Sequence, residues 1–243
     1  MKRKLLGLLA AVAFSSAVQA DIISQWNFNS PSPDNNTATG TTLASAGSGT
    51  ASTVVIPAST TFFAGSSTDP ALTDNSGWSV AGFPAQGTGN RTAGVRFNAD
   101  TMLYNNITIS WDQRASNTGS KYARFQYTTD GGANWIDGAL NTISSAGFLS
   151  YSANLSSIPG VNSNPNFGFR VVSEFAPSTS AYEAANSPTS SYNSSTGNWR
   201  FDMVTINGSL TSVPEPAVLL TNGILGFAVA SGIVIIRRRK TVA

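Results

Sequence analysis

Apolar and polar residues alternate in short stretches through most of the chain between residues 21 and 208. The clearest case is 104–111, where Ile107, Ile109 and Trp111 are separated by polar side chains. Successive side chains of a strand point to opposite faces of a sheet, so this alternation predicts a strand with one buried face. The pattern predicts eight strands, at 22–28, 53–56, 94–99, 104–111, 121–128, 148–155, 167–173 and 199–207.

The alternation also predicts which side chains enter the core. On the last predicted strand it places Trp199, Phe201 and Met203 on one face. Val204 and Ile206 fall on the other face of that strand. The other side chains predicted to point inward are Trp26, Trp111, Ala123, Phe125, Tyr127, Phe167, Phe169 and Val171.

Short strands joined by Gly-, Asn- and Ser-rich connections are typical of two antiparallel sheets packed face to face. No segment repeats at a fixed period, which argues against a propeller or a solenoid. We therefore predict an all-β fold, a single antiparallel, jelly-roll-like β-sandwich over 21–208. Two stretches rich in small and polar residues, 29–52 and 176–197, are predicted to be long loops, the second a poorly ordered excursion.

The first twenty residues have the order of parts of a secretory signal peptide. Three cations at 2–4 precede a short apolar run at 5–14, and residues 18–20 supply a small-residue cleavage site. The apolar run is too short to span a bilayer. We expect export through the Sec translocon, cleavage by signal peptidase and a mature chain that begins at Asp21.

The end of the chain combines three features in order. The first is a motif made of Val213, Pro214, Glu215 and Pro216. An uncharged stretch at 217–236 follows, and then a basic cluster of Arg237, Arg238, Arg239 and Lys240. A helix of about 20 apolar residues can cross the hydrocarbon core, and cations mark its cytoplasmic end. We predict a linker at 209–216, one transmembrane helix at 217–236 and a basic cytoplasmic tail at 237–243.

This tail closely resembles the PEP-CTERM sorting signal of exported proteins of Gram-negative bacteria. The resemblance covers 213–240 and implies recognition by an exosortase-type processing enzyme, with Glu215 and its flanking prolines as the recognition element. It implies a precursor anchored in the inner membrane and then sorting to the cell envelope, cell surface or extracellular matrix. An ordinary tail anchor that stays uncleaved is the alternative.

A second, looser resemblance concerns the body. The stretches 25–29 and 198–206 resemble the opening and closing strands of many PEP-CTERM proteins with jelly-roll or lectin-like sandwiches. This resemblance implies the fold and the class, and it says nothing about a ligand.

The export signals change the meaning of the charge. The whole chain carries a net charge of +2, but between 21 and 212 seven Lys and Arg stand against eleven Asp and Glu, which makes the body −4. Scattered cations on an acidic body argue against a nucleic-acid partner. The chain has no Cys and no His, which excludes thiol chemistry, a Ser-His-Asp triad and nearly all catalytic zinc sites.

One motif stands out within the body. Thr128, Asp130, Gly132 and Trp135 match the Asp-box pattern, Ser/Thr-x-Asp-x-Gly-x-x-Trp. The physical content of this pattern is a hairpin turn, in which the Asp accepts backbone N–H bonds and glycines take positive φ. Asp-boxes are known from sialidases and other sugar-handling β-proteins as repeats far from the catalytic centre. The single copy here predicts that Asp130 forms a turn and that Trp135 packs over it.

Carboxylates are the remaining candidates for catalysis. A glycoside hydrolase needs two of them flanking the bond to be cleaved. Asp112 and Asp202 lie on predicted strands and could share a face, whereas Glu174 ends a strand and Glu183 lies in the long loop. No two acids recur at alternating positions of one strand, so the sequence predicts no catalytic residue.

No cofactor is predicted, with a structural Ca²⁺ as the alternative. Calcium takes oxygen ligands, and the acids that could supply them near the terminal strands are Asp21, Asp34 and Asp202. Three aromatic residues are candidates for stacking on a sugar ring: Trp78, Tyr182 and Tyr192. The sequence context places Trp78 in a loop and the two tyrosines in the long stretch 176–197.

The sequence thus predicts an exported, non-enzymatic protein with a structural or adhesive role in the envelope or the extracellular matrix. The first alternative is a carbohydrate-binding module for extracellular polysaccharide, which exposed aromatic side chains on one sheet face would favour. The second is a histidine-free glycoside hydrolase, which needs two acids converging in a cleft.

Overall fold

The computed structural model describes residues 20–71 and 73–211. In this part of the chain the regular structure consists of twelve β-strands and one short 3-10 turn, Pro159–Val161. The strands are β1 (Asp21–Trp26), β2 (Ala46–Gly47), β3 (Thr50–Val54), β4 (Thr61–Ala64), β5 (Ser76–Ala81), β6 (Gly94–Asn98), β7 (Tyr104–Ala115), β8 (Tyr122–Thr128), β9 (Ile136–Thr142), β10 (Leu149–Asn154), β11 (Gly168–Glu174) and β12 (Asn198–Leu210).

Several predicted segments fall outside the described residues. They are 1–19 of the signal peptide and the whole sorting tail from Val213 onward, including its motif, its apolar stretch and its basic cluster. Within 20–71 and 73–211, no helix is long and apolar enough to cross a membrane.

The strands form two antiparallel sheets. The first has the order β10-β7-β12-β1-β2; β5 pairs with the same edge of β12 as β1, and β4 pairs with β5. This is possible because β12 is thirteen residues long: β5 pairs with its first part and β1 with its second. The second sheet has the order β3-β6-β11-β8-β9.

The core lies between the two sheets and is largely aromatic. Trp26 on β1 contacts Phe97 on β6, with ring centroids 5.1 Å apart. Trp111 on β7 stacks on Phe125 on β8 at 5.6 Å. Both contacts join one sheet to the other, so the described part of the chain is a two-sheet β-sandwich. A buried aromatic side chain removes about 150–250 Å² from water, which makes these contacts a main source of stability.

This architecture confirms the predicted all-β, two-sheet fold. Each of the eight predicted strands is present, with ends that differ from the prediction by at most four residues. The strands that the alternation missed are β2, β4, β5 and β9. Of these, β5 is buried along nearly all its length, so its sequence has no polar face to alternate with.

Three predicted side-chain orientations on β12 are wrong, those of Met203, Val204 and Ile206. Met203 was expected on the face of Trp199 and Phe201, but it has φ of +47° and lies where the register between β12 and β7 shifts. Such a bulge adds one residue to a strand and reverses the alternation after it. Val204 and Ile206 are therefore fully buried in the core, on the same side as Trp199 and Phe201.

The long stretch 176–197 is also not the loose excursion that its composition predicts. Its backbone bonds to the turn between β7 and β8: the N–H of Ala185 donates to the Gly119 carbonyl at 2.9 Å, and that of Asn193 to Thr118 at 3.0 Å. These bonds attach the loop to the body of the sandwich.

Candidate functional site

Trp78 does not offer its ring to solvent, contrary to the sequence-based prediction. It lies on β5 opposite Phe201 and is 1% exposed. Its ring stacks on Phe28 with centroids 5.6 Å apart, and its indole N–H donates to the carbonyl of Ser59 at 3.0 Å. The residue is part of the core because β5 is a strand rather than a loop.

The two tyrosines of the long loop are also unsuited to stacking on a sugar. Tyr182 is 3% exposed, and its hydroxyl donates to the carbonyl of Thr88 at 3.0 Å. Tyr192 stacks on Tyr182 at 4.8 Å and donates to the carbonyl of Pro84 at 2.7 Å. Both rings fix the loop to the segment 84–89, so their role is structural.

Polar side chains form a continuous row across the outer face of the second sheet. One residue of each strand contributes to this polar row, in the spatial order Ser52, Arg96, Arg170, Gln126 and Asp137. They point away from the core because their strand neighbours, such as Phe97 and Phe169, are fully buried. The guanidinium Nε of Arg170 donates to Gln126 Oε1 at 2.6 Å, and Gln126 Nε2 donates to Asp137 Oδ1 at 2.5 Å.

Trp135 lies over this row. The guanidinium carbon of Arg170 is 4.3 Å from the centroid of the Trp135 ring, and that of Arg96 is 5.2 Å from it. The other four tryptophans of the chain are at most 1% exposed, whereas Trp135 is only partly buried. It is therefore the most exposed tryptophan of the chain.

The Asp-box turn positions Trp135 at the entrance to β9. Asp130 accepts hydrogen bonds from the Thr128 hydroxyl at 2.7 Å and from the Asn134 N–H at 2.9 Å, and these bonds lower the pKa of its carboxyl group. Gly132, with φ of +96°, donates its N–H to the Thr128 hydroxyl. This is the turn that the motif describes. The sequence alone did not indicate that arginines would hold the indole.

The two acids of this face are already paired. Glu174, 6% exposed, accepts from Arg124 at 2.6 and 2.8 Å and from Arg91 at 2.7 Å. Burial alone would raise the pKa of Glu174, but the hydrogen bonds from Arg124 and Arg91 outweigh it and the pKa is lowered. Arg91 also donates to Asp137 at 2.7 Å. These carboxylates serve as structural ion-pair partners.

This face can bind a flat, polar ligand. A partly exposed tryptophan provides an apolar surface for the face of a sugar ring, and the neighbouring arginines can donate hydrogen bonds to its hydroxyl groups. Sequence reasoning identified Trp135 through the Asp-box but missed Arg96 and Arg170. The available signal was a charged residue between two apolar residues of a strand, Val-Arg-Phe at 95–97 and Phe-Arg-Val at 169–171.

The acids considered for catalysis lie on the other sheet. Asp112 and Asp202 are directly opposite each other on β7 and β12, as a shared face requires, but they are 4% and 0% exposed. The segment after β4 covers them: the N–H of Ser66 donates to Asp202 Oδ2 at 2.6 Å, and the Thr68 hydroxyl donates to Asp112 Oδ2. The two carboxyl groups do not line an open cleft.

The environment of Asp202 favours its protonated form. Burial raises the pKa of Asp202 to about 8, and the nearby charges of Asp69 and Asp112 act in the same direction. The hydrogen bonds from the N–H groups of Ser66 and Met203 oppose this shift only in part. Asp202 is therefore a buried structural acid.

The three acids considered as calcium ligands are not brought together. Asp21 is exposed at the start of β1, Asp202 is buried on β12, and Asp34 lies in the loop after β1. Among residues 20–71 and 73–211, no three His, Cys, Asp or Glu side chains are grouped as metal ligands. The loop acid Asp34 instead faces Asp74, which the sequence analysis did not single out.

Asp74 is unusual because both its carboxylate oxygens are buried and accept no well-formed hydrogen bond, with only the Asp34 carboxyl group and the backbone N–H groups of Asp34 and Ser30 nearby. It lines a pocket of about 320 Å³ together with Asn29, Ser30 and Thr73. Burial, followed by the side-chain contact with Asp34 and the charge of that carboxyl group, raises the pKa of Asp74, and the backbone N–H groups of Asp34 and Ser30 oppose this only in part. A buried carboxylate without well-formed hydrogen bonds needs either a proton or a cation.

No known family model matches the sequence, and no curated protein matches it. Among solved structures, the chain is similar to the CBM22-1 xylan-binding domain of Paenibacillus barcinonensis Xyn10C, at 10% identity and a TM-score of 0.44, over 81% of this chain and 100% of that one.

Two further solved structures are similar over shorter stretches. The CBM22-1–GH10 modules of Clostridium thermocellum xylanase Xyn10B, complexed with xylohexaose, match at 12% identity and a TM-score of 0.35, over 63% of this chain and 25% of theirs. The N-terminal cellulose-binding domain of Cellulomonas fimi β-1,4-glucanase C matches at 14% identity and a TM-score of 0.33, over 61% of this chain and 88% of that one. With every TM-score below 0.5, these likenesses do not decide what this chain binds.

Proposed function

We propose that the β-sandwich is a non-catalytic module that binds extracellular polysaccharide through the outer face of its second sheet. The observation that carries this proposal is the position of Trp135, the most exposed tryptophan of the chain, above a row of polar side chains that crosses all five strands. Indole stacking supplies affinity for a sugar ring, and the polar row supplies hydrogen bonds to its hydroxyl groups.

The surroundings of the acids support a binding role over hydrolysis. Asp112 and Asp202 are covered by the segment that carries Ser66 and Thr68, and Glu174 is bonded to two arginines. A glycosidase needs one acid to protonate the leaving group and another to act on the opposite side of the sugar ring. Neither the Asp112 and Asp202 pair nor the surroundings of Glu174 leave two carboxyl groups free to flank a glycosidic bond.

The test of this function is a glycan-binding screen with the purified full-length chain and two variants. Trp135→Ala removes the indole of the proposed site. Phe63→Ala removes a partly exposed ring from β4, on the other sheet, and serves as the matched control. We expect at least a tenfold loss of affinity in Trp135→Ala and a change below twofold in Phe63→Ala. Equal effects in both variants would contradict the proposal.

We further propose that this module is exported and sorted to the envelope, cell surface or extracellular matrix, where polysaccharide binding gives it a structural or adhesive role. The support is the signal-peptide pattern at 1–20 and the resemblance of 213–240 to the PEP-CTERM signal. Sec translocon, signal peptidase and an exosortase-type enzyme are the partners that this proposal requires.

Intact mass of the protein from its native host tests the sorting. A species that begins at Asp21 and ends near Pro214–Pro216 is the expected product in the envelope or the medium. A species that retains 237–243 and is found only in membranes would instead identify an uncleaved single-pass anchor.

A structural Ca²⁺ between Asp34 and Asp74 is the cofactor proposal. Its support is the buried Asp74 carboxylate, whose two oxygens accept no well-formed hydrogen bond, facing the carboxyl group of Asp34 beside a pocket. Calcium takes carboxylate and neutral oxygen ligands of this kind. It would hold the loop after β1 against the segment before β5.

A further inference from the structure

We propose that the polysaccharide bound at Trp135 is acidic, and that Arg96 and Arg170 together receive a carboxylate group of its sugar residues. This inference rests on the proposed function and names the class of ligand for the same site. A uronic acid polymer has the required chemistry, because its carboxylates lie on the same rings that would stack on the indole.

The first observation is that two cations occupy adjacent positions without an acid between them. Arg96 on β6 and Arg170 on β11 are direct cross-strand partners. Like charges in such positions repel each other and destabilise a sheet unless something compensates them. Among the described residues, every salt bridge involves Arg91, Lys121 or Arg124, and none involves Arg96 or Arg170.

The second observation is that neutral groups orient both guanidinium groups and leave donors free. Arg96 donates through Nε to Asn98 Oδ1 at 2.8 Å and through Nη2 to the Gly131 carbonyl at 2.7 Å. Arg170 donates only through Nε, to Gln126. One terminal nitrogen of Arg96 and both of Arg170 therefore have no hydrogen-bond acceptor in the described part of the protein. A guanidinium fork of this kind matches the geometry of a carboxylate.

The third observation is that the acids nearby are already bonded to other groups, and none accepts a hydrogen bond from Arg96 or Arg170. Glu174 accepts from Arg91 and Arg124, and Asp137 accepts from Arg91 and Gln126. Asp130 at the adjacent turn is held by its own turn residues. Burial, followed by the charge of Arg96, lowers the pKa of Arg170, and the charge of Asp137 opposes this shift only in part.

The distribution of charge agrees with these contacts. The body between 21 and 212 has a net charge of −4, yet four of its seven cationic side chains lie on this face. Only two of its eleven acidic side chains are bonded to these cations. The four cations are Arg91, Arg96, Arg124 and Arg170. An excess of positive charge gathered on one face of an acidic protein attracts an anionic ligand to that face and orients it.

The experiment compares polymers that differ in charge, using the full-length chain and isothermal titration calorimetry. Polygalacturonate, alginate and hyaluronate carry carboxylates, while fully methyl-esterified polygalacturonate keeps the first backbone without its charge. We expect binding to at least one acidic polymer and at least tenfold weaker binding to the esterified one. Affinity for the acidic polymer should also fall as salt is raised.

The chain offers a matched control for the arginines. Arg114 and Arg200 are also direct cross-strand partners without a salt bridge, but they lie on the other sheet. We expect Arg96→Gln/Arg170→Gln to lose at least tenfold in affinity for the acidic polymer, and Arg114→Gln/Arg200→Gln less than twofold. Arg96→Lys/Arg170→Lys keeps the charge but not the forked guanidinium geometry, so its affinity should lie between those of the two other double variants. Thermal unfolding of each variant establishes that it is folded.

The outcomes separate this inference from the proposed function. Binding of neutral glycans that depends on Trp135 but not on the two arginines would overturn the acidic ligand and leave the function intact. Equal binding of polygalacturonate and its methyl ester would do the same. Absence of binding to any glycan would contradict both proposals.

Discussion

Asp112 and Asp202 are direct neighbours across β7 and β12, and a Cβ atom on Gly65 would lie only 2.3 Å from Asp202 Oδ2. The chain therefore passes over these acids so closely that only glycine fits at this point. The same imagined Cβ would lie 1.9 Å from Asn75 Oδ1, a buried acceptor without a donor. A pair of acids that would suggest catalysis from their register is thus enclosed by a tightly packed segment.

The first prediction concerns the pH dependence of stability. Because burial raises the pKa of Asp202 to about 8, the folded state keeps a proton that the unfolded state releases above its ordinary pKa near 3.8. The contribution of Asp202 to stability is therefore greatest in acid and is lost as pH rises towards 8, at up to about 1.4 kcal/mol per pH unit. Asp202→Asn should gain stability relative to the natural protein over this range.

Urea unfolding between pH 5 and pH 9 measures this difference. Asp21→Asn, at an exposed position of β1, is the control and should follow the natural protein at every pH. A stability difference between Asp202→Asn and the natural protein that does not change with pH would show that Asp202 is ionised in the folded state.

Much of the fold could be predicted because one simple condition holds for most strands. The residues Ile107, Ile109 and Trp111 are at most 1% exposed, while Thr108 and Ser110 between them are more accessible. Where one face meets the core and the other does not, the sequence alternates and the strand is readable. The condition fails for β5, which is buried on both faces, and this is why Trp78 was assigned to a loop.

The site could be predicted only in part, for a related reason. Trp135 was found because its turn has a local sequence motif. The pairing of Arg96 with Arg170 depends on the register between β6 and β11, which are about seventy residues apart in the chain. Alternation within one strand indicates which face a side chain takes, but it does not indicate its neighbour on the next strand. The sequence also does not indicate the bulge at Met203.

The second prediction concerns calcium. Ca²⁺ should raise the melting temperature of the natural protein, and at a hundred times its dissociation constant should stabilise the fold by about 2.7 kcal/mol. Asp74→Asn should abolish this response, and without calcium it should be at least as stable as the natural protein, because it removes an uncompensated buried carboxyl group.

Differential scanning calorimetry with calcium and with a chelator gives the measurement. Asp100→Asn, an exposed acid away from the pocket, is the control and should keep the full response to calcium. The same calcium-induced shift in Asp74→Asn as in the natural protein would rule out a site at Asp74.

The third prediction compares two ion pairs of different burial. Glu174, whose side chain is 7% exposed, pairs with Arg124 at 16%, whereas Glu183 at 31% pairs with Lys121 at 25%. Removing one partner of a buried pair costs about 3–5 kcal/mol, whereas a more exposed pair contributes about 1 kcal/mol or less. Glu174→Gln should therefore destabilise the protein far more than Glu183→Gln.

Urea unfolding at pH 7 tests this comparison because urea, unlike guanidinium chloride, does not screen ion pairs, and acid pH provides a second check. Because the hydrogen bonds of Arg124 and Arg91 lower the pKa of Glu174, its pair stabilises the fold above the ordinary pKa near 4.5 and is lost as pH falls below it. The difference in the free energy of unfolding between Glu174→Gln and the natural protein should therefore shrink as pH is lowered. Equal losses in the two variants at pH 7 would mean that the Glu174 pair behaves as an exposed one.

The most direct test of polysaccharide binding at Trp135 is an NMR titration that observes the indole N–H groups. The chain has five tryptophans, and the four other than Trp135 are at most 1% exposed in the core. Each gives one side-chain resonance, and a Trp135→Phe variant assigns that of Trp135. Addition of oligosaccharides from a bound polymer should move the Trp135 resonance most and leave the other four nearly unchanged. A Trp135 resonance that stays in place while the polymer binds would show that the binding surface lies elsewhere.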